Sequence, residues 1–435
     1  MPYVPSSSDT SGSHACASAA SAPRGLWRDA DFRRLWVGQT ASQLGEHATL
    51  VVLPLVAVLV LHADAAQLGA LRAVGQAPLL LLPLLVGAWV DRWRARTVMV
   101  LSDLGRTLVL GAVAAAGLLG LLGLPALAAA AFAVGALSVF FDVAYQASVV
   151  RLVERDQWVR GTSALEGSRS AAQVGGPALG GALVSLLSAP AAAASGAVFF
   201  ALSFVSVRRI HRREVLPERG MPARTWRQIH EGLAHVAGNP ALRTVGLASA
   251  AFQFSFAALM TVYLIHLPRE LHLPATAIGL ALAATGPGAL VGSLLAARLP
   301  ARLGYGRVLV TAAALGNASM LCVPAVHGPP ARAVAALMAV NFVFGVFSQL
   351  VNVTVTAVRQ HLVPAGIQGR VAATITFAGM GTAPLGSLLG GRLTDMWGTT
   401  TCLLLTASTM MLSPLLMAAS PLARLGRDLP PAPAR

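Results

Sequence analysis

Apolar residues in this chain come in long blocks rather than in alternation with polar ones. The stretches 78–90, 108–132 and 402–417 hold no charged residue at all. A bilayer core about 30 Å thick asks for about 20 apolar residues in a helix, whereas the strands of a membrane barrel would alternate with period 2. No such alternation occurs here, so the pattern predicts membrane-crossing helices. We read them at 35–60, 67–90, 97–121, 125–149, 163–187 and 190–207, and again at 243–266, 275–299, 307–326, 332–357, 370–391 and 399–419. Only one long polar segment interrupts the series, at 208–239. Its Trp226, Ile229, Leu233 and Val236 fall on one helical face, which predicts a helix lying on the membrane surface.

The expected organisation is therefore a tail at 1–31, a six-helix half at 32–207, a linker at 208–240, a second six-helix half at 241–420 and a tail at 421–435. The first 22 residues are rich in Ser, Ala and Gly and lack the basic start of a signal peptide, so they read as a disordered tail. Arg24, Arg28, Arg33 and Arg34, interleaved with Leu26, Trp27, Phe32 and Trp36, suit an anchor at headgroup level.

Charge then sets the orientation. Arg92, Arg94, Arg96, Arg151, Arg155, Arg208, Arg209, Arg212, Arg213, Arg302, Arg307, Arg424 and Arg427 all fall on one side of the predicted membrane, against Arg269, Arg332 and Arg392 on the other. By the positive-inside rule both termini are cytoplasmic, which requires an even number of spans. An internal repeat supports two related halves. Arg92 aligns with Arg302 and Val98 with Val308, an offset of 210, and the Gly-rich runs around Pro177 and Pro384 give 207. The fold class expected is an all-α membrane protein of about twelve helices, two six-helix pseudo-repeats around a central cavity.

Composition excludes several alternatives. The 435 residues are 55% hydrophobic and 11% charged, with a mean hydropathy of +0.67, too little charge for an aqueous surface. The net charge is +15, carried entirely by arginine, but no soluble domain gathers it, so nucleic acid is not an expected partner. Without lysine the chain has no P-loop, which excludes ATP drive by this chain. Cys16, Cys322 and Cys402 are too scattered for a disulfide framework or a metal site, and dispersed histidines do not suggest an intramembrane enzyme. Neither cofactor nor metal is expected, and a channel would want rings of repeated polar residues.

Two motifs carry a resemblance. Gly87-x-x-x-Asp91-Arg92-x-Arg94-x-Arg96 resembles the loop 2–3 signature of the major facilitator superfamily, and the likeness extends over residues 32–419. Physically it reads as a latch: a carboxylate at the membrane boundary facing the positive end of a helix in the other half, here the eleventh, near Gly369 and Arg370. The second copy has Ala301 in place of Asp91, so the latch is one-sided. In helix five, Ala172-x-x-x-Gly176-Pro177-x-x-Gly180-Gly181 is similar to the motif that marks exporters in this superfamily. Its glycines admit a close backbone and its proline a bend. Phe32-Arg-Arg-Leu-Trp36, Gly45-Glu46, Phe141–Gln146 and Arg359-Gln360…Gly369-Arg370-Val371 resemble the branch of enterobactin exporters and macrolide-efflux proteins. The resemblance implies a monomeric secondary transporter of the cell membrane, with helices one, four, seven and ten lining the cavity. It further implies efflux of an amphipathic small molecule such as a drug, antibiotic, siderophore or other secondary metabolite. An importer on the same fold is the alternative.

An ionisable group at the centre of a span costs about 2.5–3.5 kcal/mol or more, so each needs a reason. Glu46 and Asp142 are the candidates for proton coupling or cation recognition, since a carboxyl away from counter-charges can load and release a proton. His47, beside Glu46, faces elsewhere on the helix. Asp103 and Arg106, one turn apart, reach the depth of Asp142, so a buried Asp103–Arg106–Asp142 cluster is expected. The family's basic residue in helix four is missing, which weakens proton-pathway analogies. Uncharged cavity candidates are Gln43, Tyr145, Gln146, Gln253, Tyr263, Asn341, Gln349 and Asn352.

Overall fold

The computed structural model describes residues 26–82, 86, 93–152, 157–211, 233–364 and 367–427. Six helices form the first half: α1 (Ala30–Leu59), α2 (Ala65–Leu81), α3 (Ala95–Leu118), α4 (Leu124–Leu152), α5 (Trp158–Leu187) and α6 (Ala189–Arg208). The second half holds α7 (Pro240–Arg269), α8 (Ala275–Ala296), α9 (Tyr305–Met320), α10 (Pro330–Leu362), α11 (Gln368–Trp397) and α12 (Thr399–Ala418). Eleven of these are long and apolar enough to cross a membrane; the described part of α2 is 17 residues.

Capping explains where the helices differ from the hydropathy blocks. α1 begins at Ala30, five residues before the predicted span, because the Asp29 carboxylate accepts from the N–H groups of Asp31 and Phe32. Asp64 and Gln67 form a reciprocal capping box that starts α2. Asn239 starts α7 by accepting from the N–H groups of Ala241 and Leu242, with Pro240 at the first helical position. α8 is interrupted at Ala284 and α11 at Thr382, whose hydroxyl donates to the Ala250 carbonyl of α7. Of the linker helix, Trp226 and Ile229 lie outside the described residues. Leu233 and Val236 lie on a short helix at 233–238; Leu233 is exposed, whereas Val236 is buried with Leu242 and Val245 and packs on protein.

Twelve spans put the start of α1 and the end of α12 on one face of the bundle, here called terminal, and the α1–α2 and α11–α12 connections on the opposite, distal face. The apolar core is not shared evenly between these faces. Toward the distal face one continuous cluster joins both halves, from Val51–Val58 and Leu68 to Leu259–Leu267 and Ile278. Toward the terminal face the core divides. One cluster, around Leu35, Met99, Phe141 and Val207, draws only on the first half; another, around Leu242, Leu309, Val358 and Val371, only on the second. Large exposed side chains such as Leu108, Leu121, Leu186, Leu294 and Leu315 cover the outside, which suits a lipid solvent.

Two glycine crossings hold the distal contact. A Cβ on Gly69 of α2 would lie 3.1 Å from the Gly391 Cα of α11, and one on Gly181 of α5 would lie 2.8 Å from the Gly279 Cα of α8. No larger residue permits backbones so close. The pairs are related by the internal repeat: 279 − 69 and 391 − 181 both give 210.

Candidate functional site

Arg106 and Asp103 on α3 are fully buried, with no exposed side-chain surface. The Arg106 Nη2 donates to Asp103 Oδ1 at 2.5 Å and to Ser42 Oγ of α1 at 3.0 Å, and Nη1 donates to Ser138 Oγ of α4 at 3.2 Å. Ser203 of α6 donates to the other Asp103 oxygen at 2.6 Å. The guanidinium lies between the Phe141 and Phe200 rings, 4.5 and 4.2 Å from their centroids. Four helices thus meet on one cation, an arrangement that a lone charge in an apolar bundle requires.

Among the described residues the second carboxylate at ion-pair distance from Arg106 is Glu46 of α1, at 3.8 Å, and not the expected Asp142. The reason is helical register: Phe141, one residue before Asp142, takes the face toward Arg106 and stacks on it. Asp142 is half-buried, within electrostatic reach of Arg106 and of Arg169 on α5. Glu46 feels the same two arginines, and its Oε2 has no hydrogen-bond donor. Asp103, Glu46 and Asp142 therefore gather around Arg106, and the last two also feel Arg169, which pairs with Glu166 at 3.9 Å. His47 packs its Cβ and backbone against Gly176 of α5 instead.

A cavity of about 340 Å³ opens in the second half, lined by Ser249, Phe252 and Gln253 of α7, Asn317 of α9, and Gln349 and Asn352 of α10, with Gln173 reaching in from α5. Gln253, Gln349 and Asn352 stand on the cavity wall that the sequence predicts for them. Tyr263 and Asn341 do not: they are buried and bonded to each other at 2.8 Å, because hydrophobic neighbours enclose that level of α7 and α10. Phe252, Phe256 and Phe344 stack beside them, with centroids 5.5 to 6.4 Å apart. In the first half Gln43 is buried, Tyr145 stacks on Phe141 and Gln146 is exposed.

The helix-five motif does two jobs. Gly176 and Gly180 meet His47 and Ala48 of α1, while Gly181 meets α8 of the other half. Of the latch, Gly87, Asp91 and Arg92 lie outside the described residues. Arg94 precedes α3 and is exposed, Arg96 donates to the Arg208 carbonyl, and Gly369 and Arg370 stand in the first turn of α11.

Three features escape the hydropathy reading. At the distal end of α11, Asp395 accepts from the N–H groups of Ala65 and Ala66, which begin α2, at 3.2 and 3.0 Å. Its signal was in the chain: Gly391-x-x-x-Asp395-x-Trp397 repeats the spacing Gly87-x-x-x-Asp91-x-Trp93. Arg269 donates to the Ala63 carbonyl at 2.6 Å. Arg72, an arginine inside the second predicted span, is the third. All hydrogen bonds found between the halves among the described residues lie at the distal face.

Comparison with known proteins agrees with this architecture. The family model described as Major Facilitator Superfamily matches residues 35–380 and 245–434. The chain is 29% identical over 385 residues to the multidrug efflux pump Tap of Mycobacterium bovis (strain BCG / Pasteur 1173P2), covering 81% of this chain and 84% of that one. It is 26% identical over 368 residues to Tap of Mycolicibacterium fortuitum, covering 81% and 87%. Among solved structures, a bacterial homologue of the iron transporter ferroportin in its inward-facing state superposes with a TM-score of 0.73 at 18% identity, over 91% of this chain and 98% of that one. The outward-facing state of a bacterial ferroportin homologue gives 0.58 at 17% identity, over 89% and 98%.

Proposed function

Because the chain belongs to the major facilitator superfamily, we propose that it is a secondary active exporter, expelling a small amphipathic molecule in exchange for protons by alternating access. It sits in the cell membrane with both termini in the cytoplasm, so the terminal face is cytoplasmic and the distal face extracellular.

The division of the apolar core carries this reading. One core binds the halves together at the extracellular face, while two separate cores serve them at the cytoplasmic face. Such a bundle can rock about its midplane with each half intact, opening to one side at a time. The conformer described is the one loaded from the cytoplasm, and the better superposition on an inward-facing relative supports that. Efflux, rather than uptake, is supported by the relatives named multidrug efflux pumps and by the exporter-like glycines of α5.

In this scheme the cavity supplies amide and hydroxyl groups beside an aromatic stack, a surface suited to cargo with one apolar and one polar side. Glu46 carries the coupling. Asp103 is held by Arg106 and Ser203, so it is structural, whereas Glu46 has an oxygen free of donors and partial access. With three carboxylates gathered around the buried Arg106, a proton on Glu46 relieves the excess negative charge, and cargo or an outward turn displaces it. Asp142 stands next in line.

The test is transport by the purified protein in proteoliposomes loaded with ethidium. Efflux that collapses when an uncoupler dissipates the proton gradient is the expected result. Uncoupler-insensitive equilibration, or uptake under an inward proton gradient, would overturn proton-driven export.

A further inference from the structure

Among the described residues, Arg72 is an intramembrane arginine for which the export scheme has no use. It lies eight residues into α2, about 12 Å below the distal end and one turn beneath the Gly69–Gly391 crossing. Neither Arg72 nor Gln76, one turn further along, has a hydrogen-bond partner among the described residues, and the buried Arg72 Nε and Gln76 Oε1 are both left unsatisfied. No described carboxylate forms an ion pair with Arg72; Glu46 and Asp103 are engaged with Arg106.

The direction of this side chain follows from the helix itself. Gly69 marks the bearing of α11 and Gly75, against Ala131, the bearing of α4. At about 100° per residue, Arg72 falls about 60° from each, midway between the two neighbours. The exposed residues Gln67, Val74 and Leu81 lie on the opposite, lipid side. Leu79 shares the Arg72 bearing two turns nearer the cytoplasm and is 41% exposed, so that side of α2 borders open space rather than packed protein. Arg72 and Gln76 therefore face the cleft between α4 and α11 beneath the closed distal end, apart from the 340 Å³ cavity of the second half.

A guanidinium with unmade hydrogen bonds and no counter-charge in a low-dielectric site is costly unless something arrives to satisfy it. We propose that Arg72, with Gln76 as the neighbouring amide, is a binding site for an anionic group, a carboxylate, sulfonate or phosphate. The fork of Arg72 takes the two oxygens of such a group, and the Gln76 amide adds a donor beside it. The site rests on the transport reading. It makes the interior of the first half bipolar, with Glu46 suited to a cation or proton and Arg72 to an anion, and it extends the cargo class to acidic and zwitterionic amphiphiles. The anion belongs either to cargo or to a lipid headgroup entering the cleft.

The experiment uses two fluorescent probes with one aromatic body and opposite charge, dansylglycine and dansylcadaverine, titrated into the full chain in phosphatidylcholine nanodiscs. Arg72→Gln is expected to weaken dansylglycine about tenfold or more while dansylcadaverine changes by less than about twofold, and Arg72→Lys to recover part of the loss. Addition of phosphatidylglycerol separates the sources. Competition with dansylglycine in wild type but not in Arg72→Gln assigns the site to a headgroup, and no competition assigns it to cargo. The proposal is overturned if Arg72→Gln leaves dansylglycine binding intact, if wild type does not bind dansylglycine, or if both probes weaken together, which marks a packing role. Uncoupler-sensitive efflux of dansylcadaverine from proteoliposomes reads the export scheme separately, so either can fail without the other.

Discussion

Asp395 at the end of α11 holds the Ala66 N–H at the start of α2, at 3.0 Å, and the same contact recurs on the opposite side of the bundle. There Ser185 of α5 accepts from the Thr276 N–H of α8 at 2.8 Å. Both residues shift by the repeat offset, since 395 − 185 and 276 − 66 are each 210. Duplication placed an acceptor over a helix N-terminus twice, and one copy carries a full charge. A carboxylate there is stabilised by the orphan N–H groups and by the helix dipole.

Removing the charged copy should weaken the distal closure. Asp395→Ala is expected to cost the closed distal face about 1–2 kcal/mol, which shifts its population against the open one by roughly 5–30-fold. Spin labels at Leu61 and Leu271, in a background without the native cysteines, report the distance across that face. A gain of the longer distance is the expected outcome; an unchanged distribution would mean that the carboxylate does nothing for closure.

The glycine crossings make a sharper demand. Gly181→Val or Gly391→Val puts branched carbon where backbone atoms of the other half already lie, so the halves cannot meet. Both variants should insert normally and fail to transport. Gly175→Val is the control, because nothing lies within 4 Å of a Cβ there. Loss of transport in the control, or retention in the crossing variants, contradicts the assignment.

Around Arg106 the expected effect is on stability. Asp103→Asn strips the charge partner from a fully buried guanidinium and should destabilise the first half by about 3–5 kcal/mol. Ser203→Ala removes one neutral donor and should cost about 1 kcal/mol. Thermal unfolding in detergent ranks the two. Equal melting temperatures would mean that Arg106 finds its counter-charge elsewhere, in Glu46.

For Glu46 the informative change is Glu46→Gln, which keeps size and hydrogen bonding but removes the titration. Cargo exchange without a gradient should survive and uphill efflux should not. A cationic cargo that loses affinity outright instead identifies Glu46 as the recognition charge. Full proton-driven efflux by this variant transfers the coupling role to Asp142.

The latch at Asp91 remains a proposal from sequence. Asp91→Ala should impair turnover with insertion intact, because it removes a stabiliser of the cytoplasmically closed state. Its pairing with Asp395 suggests a stricter outcome: the two variants should shift the conformational equilibrium in opposite directions. Spin labels on the two faces can register both.

The linear chain determined the membrane class, the spans and the repeat, because each is written in runs of apolar residues longer than any soluble helix needs and in the sidedness of arginine. It determined helix starts less well. Asp29 moved the start of α1 by five residues, since a cap depends on backbone geometry and not on hydropathy. It brought Asp103 and Arg106 together, one helical turn apart, but did not show that Glu46 stands nearer to Arg106 than Asp142. Whether Phe141 or Asp142 faces Arg106 is a matter of the rotation of α4, and depth along the helix does not contain that angle. Tyr263 and Asn341 looked like cavity residues for the same reason: polarity is legible, but the partner that satisfies it is not. What only the tertiary structure decided is where the halves touch. Gly69, Gly181, Gly279 and Gly391 are four glycines among 42 in sequence. They become the crossing points only when helices from different halves come so near that backbone lies against backbone. How near they come is set by packing across hundreds of residues and has no local signature.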